Sequence, residues 1–302
     1  MLASNRARVS ALSLLLVGGA GSGFARPAHR APVHGFTYTI HVSTTPRGDA
    51  GAEMGAAAMQ DWTARATAAN GRGRLDMVNG QAAGMWSAGD YLLFDSTEFV
   101  IVHPTTKQFI AIPSDLASRS LEQMKANGVD ISLTGVTGSM QPVAGPDSSV
   151  AGFPTKHYKL DMTYSLGMSM GTLQQSISTK VTSDIWVARV ADLPANPFLR
   201  ASSMQGAGLM QEITRTLDSI AKPIKGMIPL RSVTVTELSG AAPTAFATEQ
   251  RVEVSDLAPA DVNDDLLYLP ADFTAGTLPG LTNVPGDSVV AKWRRPAGGG
   301  KR

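Results

Sequence analysis

The stretch His157–Leu166 (HYKLDMTYSL) alternates polar and apolar side chains along its whole length. A β-strand points successive side chains to opposite faces, so this alternation predicts a strand with one buried and one solvent-facing side. The buried side carries Tyr158, Leu160, Met162 and Tyr164. The stretch therefore predicts a sheet with one apolar face.

Similar patterns recur along the chain and predict further strands. They lie at 36–43, 61–69, 72–79, 130–137, 172–189, 230–238 and 247–256. The dipeptides Asn70-Gly71 and Asn79-Gly80 are typical of tight hairpin turns. Strands joined by connections of this length favour an antiparallel sheet over alternating β–α units.

Three short strands are apolar on both faces: Tyr91–Phe94, Phe99–Val102 and Phe109–Ile112. Strands of this kind are buried on both sides, so another element has to cover them. The predicted cover is an amphipathic helix at 114–127, and the pattern at 203–221 predicts a second one. The expected fold class is thus α+β, a curved antiparallel sheet (half-barrel) of about ten strands packed on two amphipathic helices.

The N-terminus has the layout of a secretory signal peptide. Arg6 and Arg8 precede the apolar run Val9–Val17, and small residues lead to Ala25, after which we expect cleavage. This run is shorter than the ~20 residues of a membrane span, so we expect a periplasmic or secreted protein that is not integral to a membrane. The expected organisation is a signal peptide at 1–25, a flexible segment at 26–35, one β-rich half-barrel domain at 36–284 and a disordered basic tail at 285–302.

Composition narrows the classes of partner. The formal net charge is +1, and removal of the two signal-peptide arginines lowers it by two, to −1. A charge so close to zero argues against nucleic acid as a partner. The chain has no cysteine, which excludes disulfides, thiolate metal sites and cysteine nucleophiles.

One motif imitates a hydrolase site. Residues 167–171 match G-x-S-x-G, in which Ser169 would need an acid and then a histidine later in the chain. No histidine follows His157, so a turn between strands is the better interpretation, and we assign no catalytic residue. An enzyme remains open only if polar side chains such as His41 and His157, or Asp161, converge in a cleft.

The sequence signals for a metal site are equally weak. The acidic run Asp261–Asp265 resembles a calcium loop, but Leu266 occupies the position that requires glycine. The five histidines lack zinc-site spacing. Met168 and Met170 are soft ligands for copper(I), yet methionine also fills adaptable surfaces. We therefore expect no metal and no cofactor.

Several short segments together resemble an uncharacterised family of bacterial exported proteins and the half-barrels of the lipoprotein carriers LolA and LolB and of the LppX type. These segments are Gly73–Gly80, Asp90–Asp95, Phe99–Val102, Pro104, Lys107, Ala151–Leu160, Ser183–Ala188 and Leu269–Phe273. The resemblance implies a curved sheet around helices that holds acyl chains in an apolar concavity. It supplies no catalytic residues.

The leading hypothesis is an exported, non-enzymatic protein that binds a lipid, a lipoprotein acyl chain or another apolar ligand in a half-barrel concavity. The candidate lining residues are Tyr38, Ile40, Tyr158, Leu160, Met162 and Tyr164. The alternative is an envelope accessory protein that binds a protein partner and no small ligand, through an edge strand or the basic tail.

Overall fold

The computed structural model describes residues 32–47, 60–82, 86–95, 98–112, 122–145, 148–191, 193, 209–240, 246–276 and 291–294. The predicted signal peptide lies outside the described residues. The strands are β1 Val33–Arg47, β2 Gln60–Ala69, β3 Arg72–Asn79, β4 Gln81–Ala82, β5 Trp86–Ser87, β6 Tyr91–Phe94, β7 Phe99–His103, β8 Gln108–Ile112, β9 Val129–Pro142, β10 Ser148–Val150, β11 Phe153–Met170, β12 Leu173–Ala188, β13 Ile228–Ser239, β14 Phe246–Val262 and β15 Thr274–Ala275. Helix α1 is Leu209–Ile220, and 3-10 helices lie at Lys222–Ile224 and Asp264–Leu267.

Thirteen of these strands form one sheet. Its order is β10-β11-β12-β13-β14-β1-β2-β3-β6-β7-β8-β15, with β9 also paired to β11. Every pairing in this sheet is antiparallel except the short one between β15 and β8. The predicted fold class is wrong in its layers, because the chain is mostly β and is not a sheet packed on two amphipathic helices.

The strand predictions hold better than the prediction of the layers. Each of the seven predicted ranges overlaps a strand, and β1 begins at Val33, inside the segment predicted to be flexible. Asn70 and Gly71 both have positive φ, 51° and 73°, as the hairpin between β2 and β3 requires. The hairpin predicted at Asn79-Gly80 is wrong, because β3 pairs with β2 and β6.

The sheet curls around its main core. Val150 of β10 and Ile112 of β8 come from opposite ends of the strand order, yet both belong to one buried cluster. Ile40 and Trp62, from the middle of the order, lie in the same cluster. One face of β6, β7 and β8 also packs here, through side chains such as Leu92.

The other face of β6–β8 is covered by the C-terminal part of the chain. Leu269, Phe273 and Trp293 bury the second set of apolar side chains on these strands, and Trp293 is 0% exposed. We call the residues 264–276 and 291–294 the C-terminal clasp.

The cover of β6–β8 differs from the sequence predictions in two ways. Residues 122–126, the described part of the helix predicted at 114–127, are helical but exposed, so they do not cover these strands. Residues 291–294 fall in the predicted disordered tail but include the fully buried Trp293. The cover is therefore distant in sequence from the strands that it seals.

Candidate functional site

A second apolar cluster, separate from the main core, lies on one face of β9, β11 and β12. The register pairs Tyr158 with Ile185 and Met162 with Val181, so the alternation in the two strands puts these side chains on the same face. The cluster consists of Leu133, Val136, Met140, Tyr158, Leu160, Met162, Tyr164, Val181, Ile185, Val187, Ile213, Leu217, Ile220, Ile224 and Met227. We call the part of this cluster that lies on β9, β11 and β12 the arm face.

Helix α1 covers part of the arm face. Its sequence, LMQEITRTLDSI, repeats apolar residues at helical spacing, and Ile213 and Leu217 are each only 6% exposed. The helix approaches β9 closely at Gly138, where an added Cβ would lie 3.0 Å from Cδ1 of Ile220. Among the side chains of α1 that the structure describes, none makes a hydrogen bond or an ion pair. Apolar contacts alone therefore hold these side chains on the sheet.

The cover is incomplete. Leu133, Val136, Met140, Tyr164, Val181 and Ile220 all pack against the cluster but stay partly exposed. Beyond them, toward the turn between β11 and β12, Met168, Met170 and Leu173 are 37%, 52% and 61% exposed. The apolar face of these strands is thus longer than the helix that lies on it.

The six predicted lining residues divide between two places. Tyr158, Leu160, Met162 and Tyr164 share the arm face, under or beside α1. Tyr38 and Ile40 are 3% and 0% exposed in the main core and do not reach the arm face. The structure therefore brings together the four residues of β11 and not the two of β1.

A cavity of about 630 Å³ lies beside Tyr164, but it opens mostly on the other face of the sheet. Its lining includes Lys180 and Glu237, which form an ion pair across β12 and β13. It also includes Arg47, Thr163, Ser165, Ser178 and Ser239, whose side chains point to the same face of the sheet as that of Lys180. Val235, Leu238 and Phe246 add apolar side chains, so the lining mixes charged, hydroxyl and apolar groups, whereas the arm face carries an apolar cluster without an ion pair.

The histidines proposed for catalysis are not brought together. His157 bonds Asp184 (Nε2 to Oδ1, 2.8 Å) and stacks on Trp186, with ring centroids 4.3 Å apart. His41 makes its own 2.8 Å bond to Asp61. Strands β12, β13 and β14 lie between the two histidines, a path of roughly 19 Å at ~4.8 Å per strand. In the part of the chain that the structure describes, no three acidic or histidine side chains are grouped to hold a metal ion.

Charged side chains also form bonds at the C-terminal clasp. Lys292 bonds Asp95 at 2.7 Å and Glu98 at 3.0 Å, and the Arg72 guanidinium lies 5.0 Å from the Trp293 ring centroid. Burial opposes the charge on Lys292, but the bonds to the two carboxylates outweigh it and raise the lysine pKa. The bond from Lys107 lowers the pKa of Asp272 in the same way. These charges fasten the clasp and lie outside the arm face.

None of the described helices is both long and apolar enough to cross a membrane. Comparison with known protein families and with curated proteins finds no match to this chain. The arm face, with its partial cover, is therefore the candidate functional site.

Proposed function

We propose that this chain is an exported, non-enzymatic protein that binds an apolar or amphipathic ligand, such as an acyl chain, on the arm face. The observation that carries the proposal is the ring of half-buried apolar side chains around α1. Apolar surface left in water costs about 25 cal/mol per Å², so a ligand that covers this ring gains that free energy.

The way in which α1 is held supports the same function. The helix contacts the sheet through apolar side chains such as Ile213 and Leu217, and an acyl chain makes contacts of the same kind. A ligand can therefore replace the helix on the face, and among the described side chains of α1 this breaks no hydrogen bond or ion pair. Tyr158, Leu160, Met162 and Tyr164 are then the contact residues, as the periodicity of β11 predicts.

A disulfide that locks α1 onto β9 tests this proposal. The chain has no cysteine, and the double variant Gly138→Cys/Ile220→Cys puts one thiol on β9 and one on α1 at a point where the two elements are in contact. We expect oxidation to weaken binding of the fluorescent fatty acid cis-parinaric acid by at least about tenfold, because the bound state needs the helix to move. Reduction should restore binding in the same sample.

The matched control is a disulfide on the opposite face of the same sheet. Ser165 and Ser178 are directly opposed on β11 and β12, with Oγ atoms 3.3 Å apart, and neither touches α1. Oxidised Ser165→Cys/Ser178→Cys protein should bind the fatty acid like the unmodified protein. Failure of the unmodified protein to bind the probe, or equal binding by the locked and unlocked forms, would count against the proposal.

A further inference from the structure

The end of the β11–β12 hairpin carries no charged side chain. The segment from Thr163 to Thr179 contains no Asp, Glu, Lys or Arg, and it lies between Asp161 and Lys180. Gly171, with φ of 60°, reverses the chain at its tip. We call Leu166–Ile177 the hairpin tip.

The exposed apolar side chains of the hairpin tip lie on one face. Met170 is directly opposite Leu173, and Met168 is two residues from Met170 on the same side of its strand. Strand β9 places Val129 and Ile131 beside Met170 and Met168. These five residues form one uninterrupted apolar patch.

The nearest acidic residue in these strands points the other way. Asp130 of β9 is opposite Ser169, so both side chains have the parity of the polar face. The other side chains on this face between Thr163 and Thr179 are uncharged, and Gln175, directly opposite Met168, is an example. The two strands of the hairpin thus give the patch an uncharged polar edge, and the described charges that precede Val129, Glu122 and Lys125, are one of each sign and leave no net positive charge to select an anionic partner.

From these observations we infer that the hairpin tip inserts into the interfacial layer of a neutral phospholipid bilayer. From Met168 to Met170 the strand advances about 7 Å at ~3.3 Å per residue, which falls within the depth of about 5–10 Å at which interfacial segments lie. Exposed apolar side chains on an uncharged hairpin suit that layer, because it accepts both the methionine side chains and the neighbouring hydroxyl and amide groups.

A protein partner fits the patch less well. Protein interfaces surround an apolar centre with a polar rim, and charges placed around it fix the orientation of the partner. The hairpin tip has no such charges from Thr163 to Thr179, so it can bind a fluid surface but does not specify one docked orientation. The inference goes beyond ligand binding, since it concerns a different part of the strands and the surface that they approach.

Co-sedimentation with phosphatidylcholine vesicles is the first test. We expect the unmodified protein to sediment with the vesicles, also in 0.5 M NaCl, because insertion of apolar side chains is not screened by salt. The variant Met168→Ser/Met170→Ser/Leu173→Ser should lose at least about tenfold in partition, with its fold intact because all three side chains are exposed. The matched control, Val78→Ser/Val143→Ser/Leu266→Ser, removes three exposed apolar residues elsewhere and should partition normally.

An environment-sensitive dye locates the insertion. The cysteine-free chain allows a single NBD label at Met170→Cys, which should brighten and shift to the blue with vesicles, whereas a label at Val78→Cys should not. Absence of vesicle binding, equal responses at the two positions, or equal binding by the two triple variants would overturn the inference. So would sedimentation velocity showing, without lipid, a dimer that the tip variant abolishes, because the patch would then bind a second copy of the chain. The triple variant of the hairpin tip should still bind the fatty acid, since α1 and Tyr158–Tyr164 are unchanged. Fatty-acid binding without vesicle binding would therefore contradict this inference alone and leave the proposed function intact.

Discussion

Two apolar regions outside the main core, the second face of β6–β8 and the arm face, are covered in different ways. On β6–β8, Trp293 and its neighbours in the C-terminal clasp bury the second face completely. Polar bonds fix the clasp in place, among them Lys292 to Asp95 and the Gly276 amide to the Phe109 carbonyl of β8, 2.7 Å. On the arm face, α1 covers the sheet only in part, and its described side chains make apolar contacts alone.

The difference separates a structural cover from a functional one. Directional polar bonds hold one arrangement, because a cover that moves away has to leave charges or backbone groups without their partners. Apolar contacts are less specific and can be exchanged for those of a ligand. Similar apolar strands therefore serve as core in one region and as a candidate binding face in the other.

Removal of Trp293 should have the largest effect on stability. The side chain is 0% exposed, and its truncation in Trp293→Ala leaves a cavity against β6–β8, so we expect a loss of about 3–5 kcal/mol in the free energy of unfolding. Urea denaturation followed by circular dichroism measures it. Val78→Ala, at a 58% exposed position, should change stability by less than about 0.5 kcal/mol. A loss below about 1 kcal/mol for Trp293→Ala would mean that the clasp is not a structural seal.

Truncation in α1 should have a smaller and more local effect. Leu217→Ala removes one of the two best-buried side chains of the described helix, and we expect a loss of about 1–2 kcal/mol, because the helix can leave the sheet before the rest unfolds. Hydrogen–deuterium exchange should become faster in peptides from 209–220 and stay unchanged in peptides from 99–112. Equal acceleration in both would show that α1 and the clasp belong to one cooperative unit and that α1 is not the more weakly held of the two covers.

Period-two alternation carried most of the strand assignments. The ranges 61–69 and 72–79 match β2 and β3 within one residue, because alternation and the Asn70-Gly71 turn are both local signals. Apolar runs on both faces of β6–β8 also predict that a cover exists. They do not identify it, since Trp293 is remote in sequence and stands in a basic, glycine-rich context that favours a disordered tail.

The candidate site was predictable for one strand only. Parity placed Tyr158–Tyr164 on the apolar face of β11 correctly, but it could not show that Ile40 belongs to a different cluster, which depends on how the sheet curls. The exposure of Met170 could not be predicted from the sequence either, because it depends on β11 extending beyond the end of α1. The pattern of 167–171 indicated only a turn.

Loss of the Lys292 charge should have the smallest effect, and its pH dependence gives the sharpest test of the polar seal. Lys292→Met keeps the length of the side chain but removes the bonds to Asp95 and Glu98, so we expect a loss of about 1 kcal/mol at pH 7, near the upper end for partly exposed ion pairs. Because the folded protein raises the lysine pKa, the stabilisation is fully present below the unfolded value of about 10.4 and is lost as the pH rises through the folded value. Urea denaturation from pH 7 to 11 should therefore show a difference in the free energy of unfolding between the two proteins that is constant up to about pH 10 and then shrinks.

Lys107→Met, at the exposed pair with Asp272, serves as control and should show a smaller difference. If Lys292→Met matches the unmodified protein at every pH, the clasp is held by apolar contacts alone, as α1 is, and the contrast between the two covers has to rest on Trp293.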